Sequence, residues 1–212
     1  MPQLMTTSTV KNSTKYNSIP TAWREGAVFG ALWGAGEITL GSFLTSLRIP
    51  MTGVIMACFG VIILTSGQML INRKWFPLRT ALVCAGLRSL SPGGLIFGPM
   101  FAILLQGTLV SLAFIIFRHP AIAGAVSGFA VTIASLLQGL VVKLIVYGLQ
   151  LWELYLSLLD KAERLLNLKA GNGWITIGIF LLIIALCGSI AGLAGWRLGK
   201  AALKRDKSIH AV

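Results

Sequence analysis

Several stretches of this chain run for 18 or more residues with almost no charge, such as "WITIGIFLLIIALCGSIAGLAGW" at 174–196. At about 1.5 Å per residue, a helical run of that length crosses a hydrocarbon core of about 30 Å. Inside such a core every backbone N–H and C=O must be satisfied within the chain, so these runs have to be helical. Composition agrees: 56% of residues are hydrophobic and 11% charged, where a soluble domain carries about 25% charged residues. The 212 residues allow one bundle and no sizeable soluble domain. The fold class expected is an all-α integral membrane protein.

Six spans are expected, at 23–46, 51–71, 75–90, 95–117, 121–142 and 174–196. Pro50 and the segment "NRKWFPLR" close the first two, and "SPGG" stops the short third, because Pro92 and two glycines break a helix. Residues 143–168 read differently. Lys143, Gln150, Glu153, Ser157, Asp160, Lys161, Arg164 and Asn167 mostly follow at steps of three or four, with leucines filling the other positions. That pattern is an additional amphipathic helix between spans five and six. It either lies at the interface or extends the fifth span beyond the bilayer, with Gly139 or Gly148 as the bend, and it serves as a connector or as a lid.

Residues 1–21 are polar and Ser/Thr-rich without the apolar core of a signal peptide. They read as a cytoplasmic N-terminal tail, 22–200 as one six-helix membrane domain and 201–212 as a basic cytoplasmic C-terminal tail. Lys and Arg mark cytoplasmic loops. The "RLGKAALKRDK" tail, the loop with Arg73, Lys74 and Arg79, and the N-terminal segment with Lys11, Lys15 and Arg24 therefore share the cytoplasmic side. The net charge of +12 is then mainly a topology signal. Nucleic acid is not an expected partner, since the basic residues are scattered over loops with no interleaved aromatics.

Against this frame, Glu37 in "GALWGAGEITLGSFLTSLRIP" is the only acidic residue in the interior of an expected span, Glu25 falling in the first turn of the first. It lies 13 residues past Arg24, about 20 Å deep and beyond the midplane. Arg88 and Gln106 fall at similar depth on spans three and four, and Cys84 lies one turn below Arg88. A charge at the bilayer centre costs at least about 2.5–3.5 kcal/mol, and an Arg–carboxylate pair lowers that cost. Arg88 is the expected partner of Glu37. Such a pair either fixes helix register or forms the polar wall of an outward-open ligand pocket.

At 100° per residue, Gly26, Gly30, Gly34, Glu37, Gly41 and Arg48 share one arc of the first span, with Ala27 and Ala31 beside it. In the last span Gly188, Gly192, Gly195 and Gly199 repeat the device. Small residues let helices approach closely in lipid, within this chain or against a partner subunit. Cys58 and Cys187 read as small packing residues. Cys84 reads as a packing residue or, facing a bound cofactor, as a thiol for its metal. No CxxC or Cys/His cluster implies a resident metal, and no intrinsic cofactor is expected.

The chain also lacks a Walker A loop, paired intramembrane carboxylates and a Ser-His-Asp set, so an enzyme is not expected. With its six spans, a small-residue first helix "GAVFGALWGAGE" and the "SPGGLIFGPMFAILLQG" hairpin, the chain over about 22–200 resembles the substrate-binding S-component of an energy-coupling factor (ECF) transporter. That resemblance implies uptake of a vitamin or related micronutrient across the inner (cytoplasmic) membrane. The partners would be a membrane coupling subunit and two cytoplasmic ATPases, and transport would involve the S-component toppling in the bilayer. Substrate would bind in the outer half, at Glu37, Arg48, Cys84, Arg88, Ser91, Gln106 and Lys143. Ala27, Gly30, Ala31 and Gly34 would dock on the coupling subunit. Some S-component-like proteins take up cobalamin through an intramembrane cysteine, which would give Cys84 that role. The competing class is a structural or accessory subunit of a larger membrane complex.

Overall fold

The computed structural model describes residues 21–47, 51–90, 97–148 and 173–209, all within or beside helices. There are six: α1 (Thr21–Ser46), α2 (Thr52–Ile71), α3 (Phe76–Ser89), α4 (Phe97–Ile116), α5 (Pro120–Tyr147) and α6 (Gly173–Ile209). Five contain a stretch long and apolar enough to cross a membrane. The exception is α3, whose 14 residues reach only about 21 Å. Thus the expected six spans become five spans and one short helix. The protein is a membrane-embedded helical bundle, and its many exposed leucines, isoleucines and phenylalanines are the lipid-facing surface that such a bundle requires.

Of the expected amphipathic helix at 143–168, only the start, 143–148, falls on described residues. Helix α5 passes straight through Gly139 and ends at Gly148, whose φ of 70° and ψ of −166° form a backbone conformation open to glycine and almost nothing else. The Gly148 N–H donates to the Leu144 carbonyl at 2.9 Å and closes the last turn. Lys143 therefore belongs to α5, and 149–172 lie outside the described residues. At the other end, α6 continues unbroken through residue 200 into the basic segment expected to be a tail.

Among the described residues, α2 touches every other helix. Around it stand α1, α3, α4, α5 and α6 in that order, each packed on the next, with no contact from α6 back to α1. Accordingly α2 is the most buried span. Neighbours in sequence run antiparallel. Gly36 of α1 meets Phe59 of α2, Gly107 of α4 meets Ala81 of α3, and Gly124 of α5 meets Gly192 of α6. The start of α1 and the end of α6 thus share one end of the bundle with the α2–α3 and α4–α5 turns.

Glycine decides how close these helices come. A Cβ on Gly30 would sit 2.7 Å from the Val83 Cβ and 2.8 Å from the Thr80 carbonyl oxygen, so α1 lies directly on α3. Gly128 and Gly188 press backbone to backbone, and each would drive a Cβ into the other's carbonyl. Farther along α6 the same stripe turns to α2, where a Cβ on Gly195 would lie 2.9 Å from the Ile62 carbonyl and one on Gly199 2.9 Å from that of Ser66. Of the two sequence readings of the α6 stripe, packing within the chain is the one realised at all four glycines.

Polar side chains fasten the remaining seams. The α3 N-terminus has no side-chain cap of its own at Trp75, and the Leu78 N–H instead donates to Ser111 Oγ of α4 at 3.1 Å. Gln138 Nε2 of α5 donates to the Gly98 carbonyl of α4 at 2.7 Å. Arg73 Nε lies 3.3 Å from Glu25 Oε2 and ties the α2–α3 turn to the base of α1.

Forcing a side chain between α5 and α6 should be costly. Gly188→Leu is expected to lose about 3 kcal/mol of stability or more by overpacking. Gly139→Leu adds a side chain where a Cβ meets nothing within 4 Å, and should lose less than about 0.5 kcal/mol. Thermal unfolding in detergent, followed by circular dichroism, separates the two.

Candidate functional site

Helix α1 presents Gly26, Gly30, Trp33, Gly34 and Glu37 to the interior. The first, second and fourth lie on α3, so α1 and α3 approach closely enough to bring the Glu37 level of α1 beside Cys84 and Leu87. Glu37 is 8% exposed and accepts a hydrogen bond from Trp33 Nε1 at 3.1 Å. The spacing of four puts donor and acceptor one turn apart on the same face. Trp33 itself is fully buried.

The expected Glu37–Arg88 ion pair is not formed. Arg88 is half-buried in the last turn of α3 and acts on Glu37 electrostatically. Yet no ion pair within 4 Å joins the two, whereas Arg73 and Glu25 form one at the base of α1. The carboxylate instead accepts from the Trp33 indole, which lies one turn earlier on the same face of its own helix.

Gln106 of α4 enters beside Trp33, on the face of α2 that carries Gly60. Gly60 leaves room there: a Cβ on it would lie 2.5 Å from Gln106 Oε1 and 2.8 Å from Trp33 Cζ2. Gln106 is 5% exposed and its Oε1 has no hydrogen-bond partner. Thr80 Oγ1 of α3, between α1 and α4, is likewise buried without a partner. A buried amide oxygen left unpaired costs about 1–3 kcal/mol, so the layer holds hydrogen-bonding capacity that the bundle does not use.

Four of the expected substrate-binding residues are therefore gathered: Glu37, Cys84, Arg88 and Gln106. Arg48 and Ser91 lie outside the described residues, as does the Lys143 side chain. Trp33 is the residue of this layer that the sequence reading missed. The signal was present in the i, i+4 spacing of an indole donor ahead of the acid in the interior of the span.

Two further expectations need correction. Gly30 and Gly34 are not a docking surface for another subunit, because α3 already covers them. Ala27 and Ala31 do face outward, and Ala35 continues their line. Cys84 is fully buried beside the α1 glycines. A thiol that ligates the cobalt of a bound corrinoid must be open to it, so Cys84 as it stands does not fit that role. Among the described residues no group of three or more His, Cys, Asp or Glu side chains could hold a metal ion.

A separate apolar groove of about 660 Å³ lies between α4 and α5, lined by Phe101, Leu137, Val141 and Ile145 with Gln138 at one side. It is open to the lipid-facing surface and does not include the Glu37 layer.

Comparison with known proteins adds no identification: no protein family, no curated protein and no solved structure matches this chain.

The unused oxygen of Gln106 predicts an asymmetry. Gln106→Met conserves volume and removes an unsatisfied group, so it should leave stability unchanged or raise it by about 1 kcal/mol. Trp33→Phe strips Glu37 of its donor and should cost about 1–3 kcal/mol. Equilibrium unfolding in mixed detergent micelles checks both.

Proposed function

We propose that this protein is the membrane-embedded substrate-binding subunit of a micronutrient uptake system, an S-component of the energy-coupling factor type. The observation that carries the reading is the buried layer of Glu37 and Gln106. It combines a carboxylate held by a single internal donor with an amide oxygen that has none. Intramembrane ionisable residues are functional candidates by default. Here the fold itself does not account for Gln106. Arg88, in the last turn of α3, adds a cation beside that layer. A small polar molecule bearing both donor and acceptor groups suits this set.

In this reading both chain ends are cytoplasmic and the membrane is the inner (cytoplasmic) one. The charge distribution supports the orientation. Arg24, Arg73, Lys74, Arg79, Arg118, Arg197, Lys200, Lys204 and Arg205 all belong to the end shared by the α1 start and the α6 end, as cytoplasmic segments require. A coupling subunit and its ATPases would engage the outward face of α1, where Ala27, Ala31 and Ala35 leave a shallow strip. That strip also supports the second reading, an accessory subunit of a larger membrane complex. There Glu37 would serve only to fix α1.

Mass spectrometry of small molecules released from the detergent-purified protein discriminates them. A binding subunit should carry a stoichiometric small molecule. It should lose that molecule at least about tenfold in Glu37→Gln and Gln106→Met, each change removing one good hydrogen bond, while the helical content of both variants is unchanged. A blank from cells grown in rich medium, with the variants impaired only in assembly, would transfer the weight to the accessory subunit.

A further inference from the structure

The basic end of the bundle is not evenly charged. On α6 the stripe that carries Gly188 and Gly192 against α5 continues at the same four-residue spacing to Trp196 and Lys200. Gly192 packs on Gly124, so one turn farther Trp196 stands level with Pro120, the first residue of α5. Lys200, one turn farther, lies beyond the level at which α5 begins, at the end of the bundle that also holds Arg118 and His119 of the α4–α5 turn. The Lys200 ammonium lies 5.4 Å from the Trp196 ring centroid, over its face, and so is held on this side of α6. Arg118, His119, Arg197 and Lys200 are all exposed. Glu25, the acid at this end with a described side chain, is engaged by Arg73 on the α1–α3 side. Helices α1 and α3 touch neither α5 nor α6.

Helix α6 also overshoots the bilayer. Its 37 residues extend about 55 Å against a hydrocarbon core of about 30 Å. Trp196, half-buried and followed by Arg197 and Lys200, is the pattern of a side chain anchored at the headgroup level.

We propose that the α4–α5 turn and the 196–200 segment of α6 form a binding surface for the headgroup of an anionic phospholipid, with Arg118, Arg197 and Lys200 as its cationic contacts. The phosphate meets cations from two elements, and the acyl chains run down the apolar outer faces of α5 and α6, where Ile122, Phe129 and Ile190 are exposed. Clustered basic residues beside a membrane span attract anionic lipid, and the effect accumulates with each charge. The surface also joins the two ends of the glycine-packed α5–α6 pair, so a bound lipid would bridge them. This inference does not rest on the proposed transport role.

Native mass spectrometry of the full chain with added phosphatidylglycerol or phosphatidylcholine tests it. The wild type should retain phosphatidylglycerol in preference to phosphatidylcholine. The triple variant Arg118→Gln, Arg197→Gln, Lys200→Gln should lose that retention by about tenfold or more. A charge-equivalent triple on the α1–α3 side, Arg24→Gln, Lys74→Gln, Arg79→Gln, should stay within about twofold of wild type. Restoring charge in the first set as Arg118→Lys, Arg197→Lys, Lys200→Arg should restore binding. Equal retention of the two lipids, equal losses in both Gln triples, or displacement of phosphatidylglycerol by an equimolar amount of inorganic phosphate would overturn the assignment.

Discussion

Close backbone approach is the constraint on which the rest of this bundle depends. In lipid, helices gain nothing by hiding apolar surface from one another, so association rests on dispersion and polar contacts at short range. The glycines supply that range. Gly128 and Gly188 bring α5 and α6 backbone to backbone, Gly195 and Gly199 bring α6 to α2, and Gly26, Gly30 and Gly34 bring α1 to α3. With α2 at the centre, these contacts fix the register of the outer helices without a large apolar core. Register in turn decides which polar side chains meet. A shift of one residue in α1 would rotate Glu37 by about 100° away from the interior.

Once the register is set, the chemistry of the Glu37 layer follows. The carboxylate lies where α1 is pressed on α3, and the donor that can reach it is the indole one turn earlier. Gly60 removes the side chain that would otherwise separate Trp33 from Gln106. An apolar bundle could have closed this space with leucine. It carries instead a carboxylate from α1 and an amide from α4, with the Trp33 indole and the Gln106 amide meeting on one face of α2.

Much of this was legible in the sequence, and the failures have identifiable causes. The inward arc of α1 is read correctly from 100° periodicity because Gly26, Gly30, Gly34 and Glu37 differ so sharply from Val28, Leu32 and Phe43. Periodicity does not name the neighbour, however. The same glycine arc fits an external subunit or α3, and only the tertiary contacts choose α3. The Glu37–Arg88 pair failed for a related reason. Depth counting places two residues in one layer but not on facing sides, and charge complementarity then appears decisive when a local indole is nearer. Trp33 escaped notice because a tryptophan in an apolar run usually reads as packing or as an interface residue. The span count failed at α3, whose stretch from Phe76 to Ser89 has the apolar composition of a span but, at 14 residues, not the length.

That short helix has a consequence for the proposed site. At about 21 Å, α3 ends well before the far side of a hydrocarbon core of about 30 Å. Its last carbonyls have no partners within the helix. In hydrocarbon such groups are tolerated only where they are buried in protein or line a wet cavity. Arg88 stands in that last turn, where a cation complements the negative end of the helix dipole. Beside it Leu90 is 80% exposed, so protein from the described helices does not cover the end of α3. The end of α3 therefore needs polar surroundings at the level of Glu37. A polar approach from the side opposite the basic end would supply them, and it would lead on toward the unused oxygen of Gln106.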